Sequence, residues 1–253
     1  MRVLVLGGTA EASMLASLLA GQSGISGVLS FAGRTKAPRV PEIPYRSGGF
    51  GGAAGLAAYL KAECIDVLVD ATHPFAEQMS RHAIQAAACA NIPLVCLSRP
   101  LWRPEVCDHW ICVADMAAAA AALGQEQKRV FLTIGRLQIE AFAAAPQHFY
   151  LVRAIEPLEP TPSLPRHRVI LGRGPFTVEA EEKLFREEAI DVIVTKNSGG
   201  EATFGKILAA RNLGLPVVMV ARPQQAARAV LHDPAEVMAF LLLHQSALLP
   251  REE

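Results

Sequence analysis

Short apolar runs rich in β-branched residues recur along the chain, each separated from the next by an alanine- and leucine-rich stretch. In the first hundred residues the runs fall at 3–6, 28–31, 67–69 and 94–97, with helical patterns at 11–19, 54–62 and 77–90 between them. Continuous apolar strands between amphipathic helices predict a parallel sheet covered on both faces. Right-handed crossovers then wind these elements into a Rossmann-like domain. Two prolines bracketing Trp102 stiffen the segment 98–104, which marks a domain boundary. Beyond it the alternation resumes, with strands predicted at 110–113, 130–133, 149–152, 169–171, 192–195 and 217–220. Helices are predicted at 116–123, 178–188, 203–213 and 235–244, and four prolines make 156–165 an irregular surface loop. The expected fold class is α/β, with two Rossmann-like domains built on parallel sheets, spanning 1–98 and 99–253.

Composition adds a sizeable core to this picture, since 51% of the 253 residues are hydrophobic and 19% are charged. Lys plus Arg equals Asp plus Glu at 24 each, so there is no global attraction to nucleic acid or to an anionic membrane. An anionic ligand must instead be held by locally gathered basic groups. The five cysteines form no CxxC pair and fall mostly in apolar stretches, where they are expected to act as small hydrophobes. Their odd number argues for a reducing, cytoplasmic setting. Gly7, Gly8 and Glu11 interrupt the first apolar run too early for a leader peptide. No apolar run approaches the ~20 residues needed to span a bilayer.

Candidate chemistry begins at the turn after the first strand, Gly7-Gly8-Thr9-Ala10-Glu11-Ala12. Glycines there let backbone N–H groups approach a pyrophosphate at a helix N-terminus. Thr9 is placed to cap that helix, Glu11 falls in its first turn, and Ala12 is small enough for close helix–strand packing. An acid beside a pyrophosphate repels it, so Glu11 is expected to face a ribose hydroxyl or a backbone N–H. The second strand ends in Ala32-Gly33-Arg34-Thr35-Lys36, without the acid that holds the ribose of NAD. Arg34 offers a planar fork for a phosphate, which points to the ribose 2′-phosphate of NADP. After the strand at 67–69, Asp70-Ala71-Thr72-His73-Pro74-Phe75-Ala76 should lie at the carboxyl edge of the sheet, with His73 and Phe75 against the cofactor.

In the second half, Thr195-Lys196-Asn197-Ser198-Gly199-Gly200 follows a buried strand and resembles the first glycine turn with a lysine added. Lys196, Asn197, Ser198 and the N–H of Gly199 are candidates for holding an anion or a carbonyl, with Asn197 and Gly199 expected on the cofactor and Lys196 and Ser198 on the reacting atoms. Gly135-Arg136, Arg153 and Gly172-Arg173-Gly174 also end strands, so Arg136, Arg153, Arg173 and Lys196 are expected to face one crevice. The histidines do not fall at metal-ligand spacing, and neither HExxH nor GxSxG occurs.

Taken in order, these motifs resemble the precorrin-6A reductase family of cobalamin biosynthesis. The matching segments are 7–11, Gly33-Arg34, 70–76, Arg99-Pro100 with Trp102, Gly135-Arg136, Gly174-Pro175-Phe176 with Glu179, 196–199, and Pro216-Val217-Val218 with Arg222-Pro223. The resemblance implies cofactor and substrate in a cleft between two Rossmann-like domains. It implies hydride transfer from NADPH to a double bond of the precorrin-6A macrocycle, giving precorrin-6B. The substrate is then a polycarboxylate tetrapyrrole, with Arg99, Arg136, Arg153 and Arg173 as its expected partners. The proton that accompanies the hydride has several possible sources: Lys196, Ser198, His73 and solvent. Rival readings are a reductase of the cobalt-bound intermediate, a non-catalytic NADP-binding sensor, and a sugar-nucleotide or phosphate transferase.

Overall fold

In the computed structural model, strand β1 (Arg2–Leu6) turns Val3 and Val5 to one face of a sheet and Leu4 and Leu6 to the other, all four buried. Residues 1–33, 40–223 and 229–248 are described. Around β1 lie β2 (Ser26–Phe31), β3 (Tyr45–Ser47), β4 (Val67–Asp70), β5 (Leu94–Leu97) and β12 (Ala229–Leu231). Their order is β12-β5-β4-β1-β2-β3, and every neighbouring pair is parallel. Helices α1 (Ala10–Ala20) and α7 (Pro234–Leu248) supply Leu15, Leu19, Val237 and Leu241 to the core on the Val3/Val5 face. On the opposite face, α2 (Gly52–Ala62) and α3 (Glu77–Ala90) supply Leu56, Leu60, Ala83 and Ala87. The chain winds outward from β1 to β3 and then returns to lay β4 beside β1, in the register Leu6↔Asp70. That reversal between β1 and β4 is a topological switch point, where open α/β sheets bind ligands.

The second unit has the strands β6 (Trp110–Val113), β7 (Arg129–Thr133), β8 (Phe149–Ala154), β9 (His167–Leu171), β10 (Val192–Lys196) and β11 (Val217–Val220). They form another parallel sheet in the order β6-β11-β10-β7-β8-β9. The winding repeats that of the first sheet, with β7 in the position of β1 and β10 in that of β4. Helices α4 (Met116–Ala122), α5 (Val178–Glu187) and α6 (Gly205–Asn212) complete the unit, and Phe131, Phe185, Ile193 and Ile207 are central to its core. A 3-10 helix over Arg136–Ala144 connects β7 to β8 where the first unit has α1.

The observed architecture is the α/β arrangement of parallel sheets expected from the pattern, and every strand predicted from it is present. The division of the chain differs at its C-terminal end. The compact units are Met1–Pro100 with Pro223–Glu253, and Leu101–Arg222. The last segment therefore returns to the first unit: β12 pairs with β5 in the register Val95↔Ala229, and the Ser98 amide donates to the Leu231 carbonyl at 3.0 Å. An apolar helix pattern says that α7 covers a core without saying which one. Strand β3 escapes the pattern because Tyr45-Arg46-Ser47 is short and polar. Four of the five cysteines are exposed and only Cys96 is buried, which corrects their expected role as core residues. No helix among the described residues is long and apolar enough to cross a membrane.

Candidate functional site

The carboxyl ends of β1 and β4 are tied together by one threonine. Thr9 caps α1, its Oγ1 accepting from the Ala12 amide at 3.1 Å and donating to the Ala71 carbonyl at 2.9 Å. The two preceding glycines have separate reasons to be glycine. A Cβ on Gly7 would lie 2.7 Å from Leu29 Cδ1, so Gly7 answers to packing against β2. Gly8 has φ +118° and open space where a side chain would project, so it exposes the turn's backbone. Among the described residues no acceptor pairs with the N–H groups of Gly8, Thr9, Ala10 and Glu11. These donors at a helix N-terminus fit a dinucleotide's diphosphate. Glu11 meets no backbone N–H among the described residues; its carboxylate lies against the Arg99 guanidinium, with Nε and Oε1 3.3 Å apart.

The loop after β4 is organised by Asp70, which is 1% exposed. Its carboxylate accepts from the Thr72 amide (3.1 Å), Thr72 Oγ1 (2.6 Å) and Ser80 Oγ on α3 (2.7 Å). His73 Nδ1 accepts from the Phe75 amide at 3.2 Å, so the neutral ring carries its proton on Nε2. At the end of β2, Gly33 has φ +73° and lies beside Ser47 and Gly48. Arg34 and Thr35 lie outside the described residues. Sequence reasoning passed over Arg46, which builds this corner. Its guanidinium donates to Ser30 Oγ (2.8 Å) and to the Gly48 and Gly49 carbonyls (2.9 and 3.2 Å), and covers the Phe50 ring at 3.9 Å. The glycine-rich run at 48–52 is the one signal that a loop needing such support was present.

In the second unit the loop after β10 occupies the topological position of the loop after β4. The equivalent of the first glycine turn is Gly135-Arg136 after β7, and not 195–200 as the sequence suggested. Lys196 Nζ donates to Gln138 Oε1 at 3.1 Å and lies 3.8 Å from where a Cβ on Gly135 would sit. Lys196 is thus brought to the β7 turn, at this sheet's own switch point between β7 and β10. Asn197 does different work. Its Oδ1 accepts from the Trp102 amide (2.9 Å) and its Nδ2 donates to the Trp102 carbonyl (3.0 Å), which commits both ends of the amide to backbone. Trp102 Nε1 donates in turn to the Gly200 carbonyl at 2.9 Å. Ser198 is half-buried, with its amide on the Lys196 carbonyl (2.7 Å) and its own carbonyl receiving Arg222 Nη2 (3.1 Å). Gly199 and Gly200 have φ +69° and +79°, which this tight turn requires.

The four arginines expected to meet the substrate differ in their environments. Arg153 pairs with the buried Glu181 at 2.7 Å and lies between the Phe131 and Phe176 rings, 4.8 and 3.9 Å from their centroids. A guanidinium so enclosed has its charge matched inside the second unit by Glu181. Arg99 stands on Glu11 in the first unit. Arg136 and Arg173 are exposed at the carboxyl ends of β7 and β9.

With this geometry in place, similarity to known proteins becomes informative. The model of the family described as Precorrin-6x reductase CbiJ/CobK matches residues 2–242. Precorrin-6A reductase of Rhodobacter capsulatus is 48% identical over 243 residues, covering 96% of each chain. Precorrin-6A reductase of Rhodococcus erythropolis is 51% identical over 223 residues, 88% of this chain and 89% of the relative. A solved structure of CobK precorrin-6A reductase superposes with a TM-score of 0.92 at 48% identity, covering 96% of this chain and 97% of that one.

Proposed function

Because the chain belongs to the precorrin-6x reductase family and is an oxidoreductase of cobalamin biosynthesis, we propose that it reduces a double bond of metal-free precorrin-6A with NADPH, giving precorrin-6B. The observation that carries this reading is the row of N–H donors from Gly8 to Glu11 at the β1/β4 switch point, unpaired among the described residues, in a chain about half identical to precorrin-6A reductases. NADPH, when bound, supplies the hydride.

The chain's own residues supply binding, orientation and charge. Gly8 and the first turn of α1 hold the diphosphate, while His73 and Phe75, braced by Asp70, wall the cofactor at the end of β4. Arg34, with Gly33 and Thr35, takes the ribose 2′-phosphate. Arg136 and Arg173, exposed at strand ends, meet substrate carboxylates. Lys196, its ammonium held by Gln138 within the second unit, and Ser198 are the candidate sources of the proton for the carbon beside the one that gains hydride.

The test is anaerobic incubation with NADPH and precorrin-6A, following cofactor oxidation and the pigment spectrum. Turnover of the metal-free substrate is expected. Turnover of only the cobalt-bound form moves the assignment to that intermediate, and failure with both leaves a cofactor-binding protein of another kind. NADPH is expected to bind far more tightly than NADH, and Arg34→Ala to close that gap by roughly tenfold or more. Equal affinity of the unsubstituted protein for both cofactors sinks the 2′-phosphate assignment.

A further inference from the structure

The acid in the first turn of α1 presents an electrostatic problem. Glu11 suits the helix dipole while the site is empty, because a carboxylate near free N–H groups is favoured there. The same N–H groups are the donors that a diphosphate uses, and an uncompensated carboxylate beside them opposes a second anion. Arg99 answers this. It follows β5, and its guanidinium meets Glu11 at 3.3 Å with the two side chains only 14% and 20% exposed. At that burial the pair is screened less than a surface ion pair, so its charge balance is felt locally. Glu11 Oε2 is buried and makes no hydrogen bond among the described residues, so the arginine is its principal compensation.

We propose that Arg99 is a positioning residue for the cofactor, cancelling the charge of Glu11 so that a dinucleotide diphosphate can sit on the N-terminus of α1. This rests on the assignment of the glycine turn as the cofactor site, and it replaces the substrate role expected for Arg99. The pair acts as a built-in counter-charge: Arg99 offsets Glu11, and the turn's N–H groups remain available to the ligand.

The prediction is a double-mutant cycle read by calorimetric titration of NADP+, with no turnover involved. Arg99→Gln should weaken binding by about tenfold or more, because it leaves Glu11 uncompensated. Adding Glu11→Gln to that variant should restore affinity to within about threefold of the unsubstituted protein. Glu11→Gln alone, a conservative change on the first turn of a helix, should bind NADP+ as well as the parent or better. It keeps the idea testable if Arg99→Gln fails to fold. Three results overturn the proposal while the parent still binds NADP+. They are an unchanged affinity in Arg99→Gln, no recovery in the double variant, and weakened binding in Glu11→Gln. If the parent itself does not bind NADP+, the cofactor reading falls and this inference falls with it.

Discussion

At the residue scale, the Thr9 hydroxyl caps α1 from a position next to it in the chain, while Arg153 is held by the distant Glu181 and by two phenylalanine rings. His148 is another residue whose role comes only from its surroundings. It is fully buried, and its Nδ1 accepts from the Lys128 amide at 3.2 Å. Burial first, then the charges of Lys128 and Arg166, hold its pKa below the ordinary histidine value, with only a backbone contact at Gly124 favouring the charged ring. The unfolded chain therefore takes up a proton near pH 6.5 that the folded chain resists, and stability is lost as the pH falls below that value. Urea denaturation at pH 7.5 and 5.5 should show this loss. His148→Asn, which keeps an acceptor for the Lys128 amide, should show a smaller one; an equal loss in both proteins removes His148 as the cause.

At the scale of elements, strands and helices were legible wherever burial is continuous, because an apolar run of four or more residues leaves a pattern. The elements that escaped are β3, supported by Arg46, and β12, each only three residues long, and the 3-10 helix at 136–144, with its mixed sequence RLQIEAFAA. The loop after β10 shows how this affects the site. Its residue types suggested an anion cradle, yet topology makes it the counterpart of the loop after β4, and Asn197 serves as a clamp on the Trp102 backbone. Removing that clamp strands an N–H and a carbonyl in a half-buried position. Asn197→Ala should cost about 2 kcal/mol of stability and leave NADP+ affinity unchanged where the protein is folded. Denaturant unfolding and cofactor titration on the same variant separate the two roles. Weakened cofactor binding at undiminished stability restores Asn197 to the cofactor site.

At the scale of the whole molecule, the two sheets share one winding and differ in where the sixth strand comes from. The second unit takes β6 from the segment that precedes β7, so all of its sheet is contiguous in the chain. The first unit borrows β12 and α7 from beyond residue 223, and with them Val237, Met238 and Leu241 of its core. Local sequence patterns cannot reveal such a return, since the pairing of Ala229 with Val95 spans the entire second unit. The asymmetry has a consequence for folding. The fragment 101–222 contains every strand of its own sheet and should fold alone, with cooperative thermal unfolding and the circular dichroism of an α/β domain. The fragment 1–100 exposes the α1 side of its core and the edge of β5, and should be soluble only as an aggregation-prone, weakly cooperative species. Joining 1–100 to 223–253 through a short flexible linker supplies β12 and α7 in place and should recover a cooperative transition. Equal stability of 1–100 with and without that segment would show that the return of the chain contributes little to the first unit. A joined fragment that folds also offers a direct measurement: if it binds NADP+ alone, the cofactor site is complete within the first sheet and its returning segment.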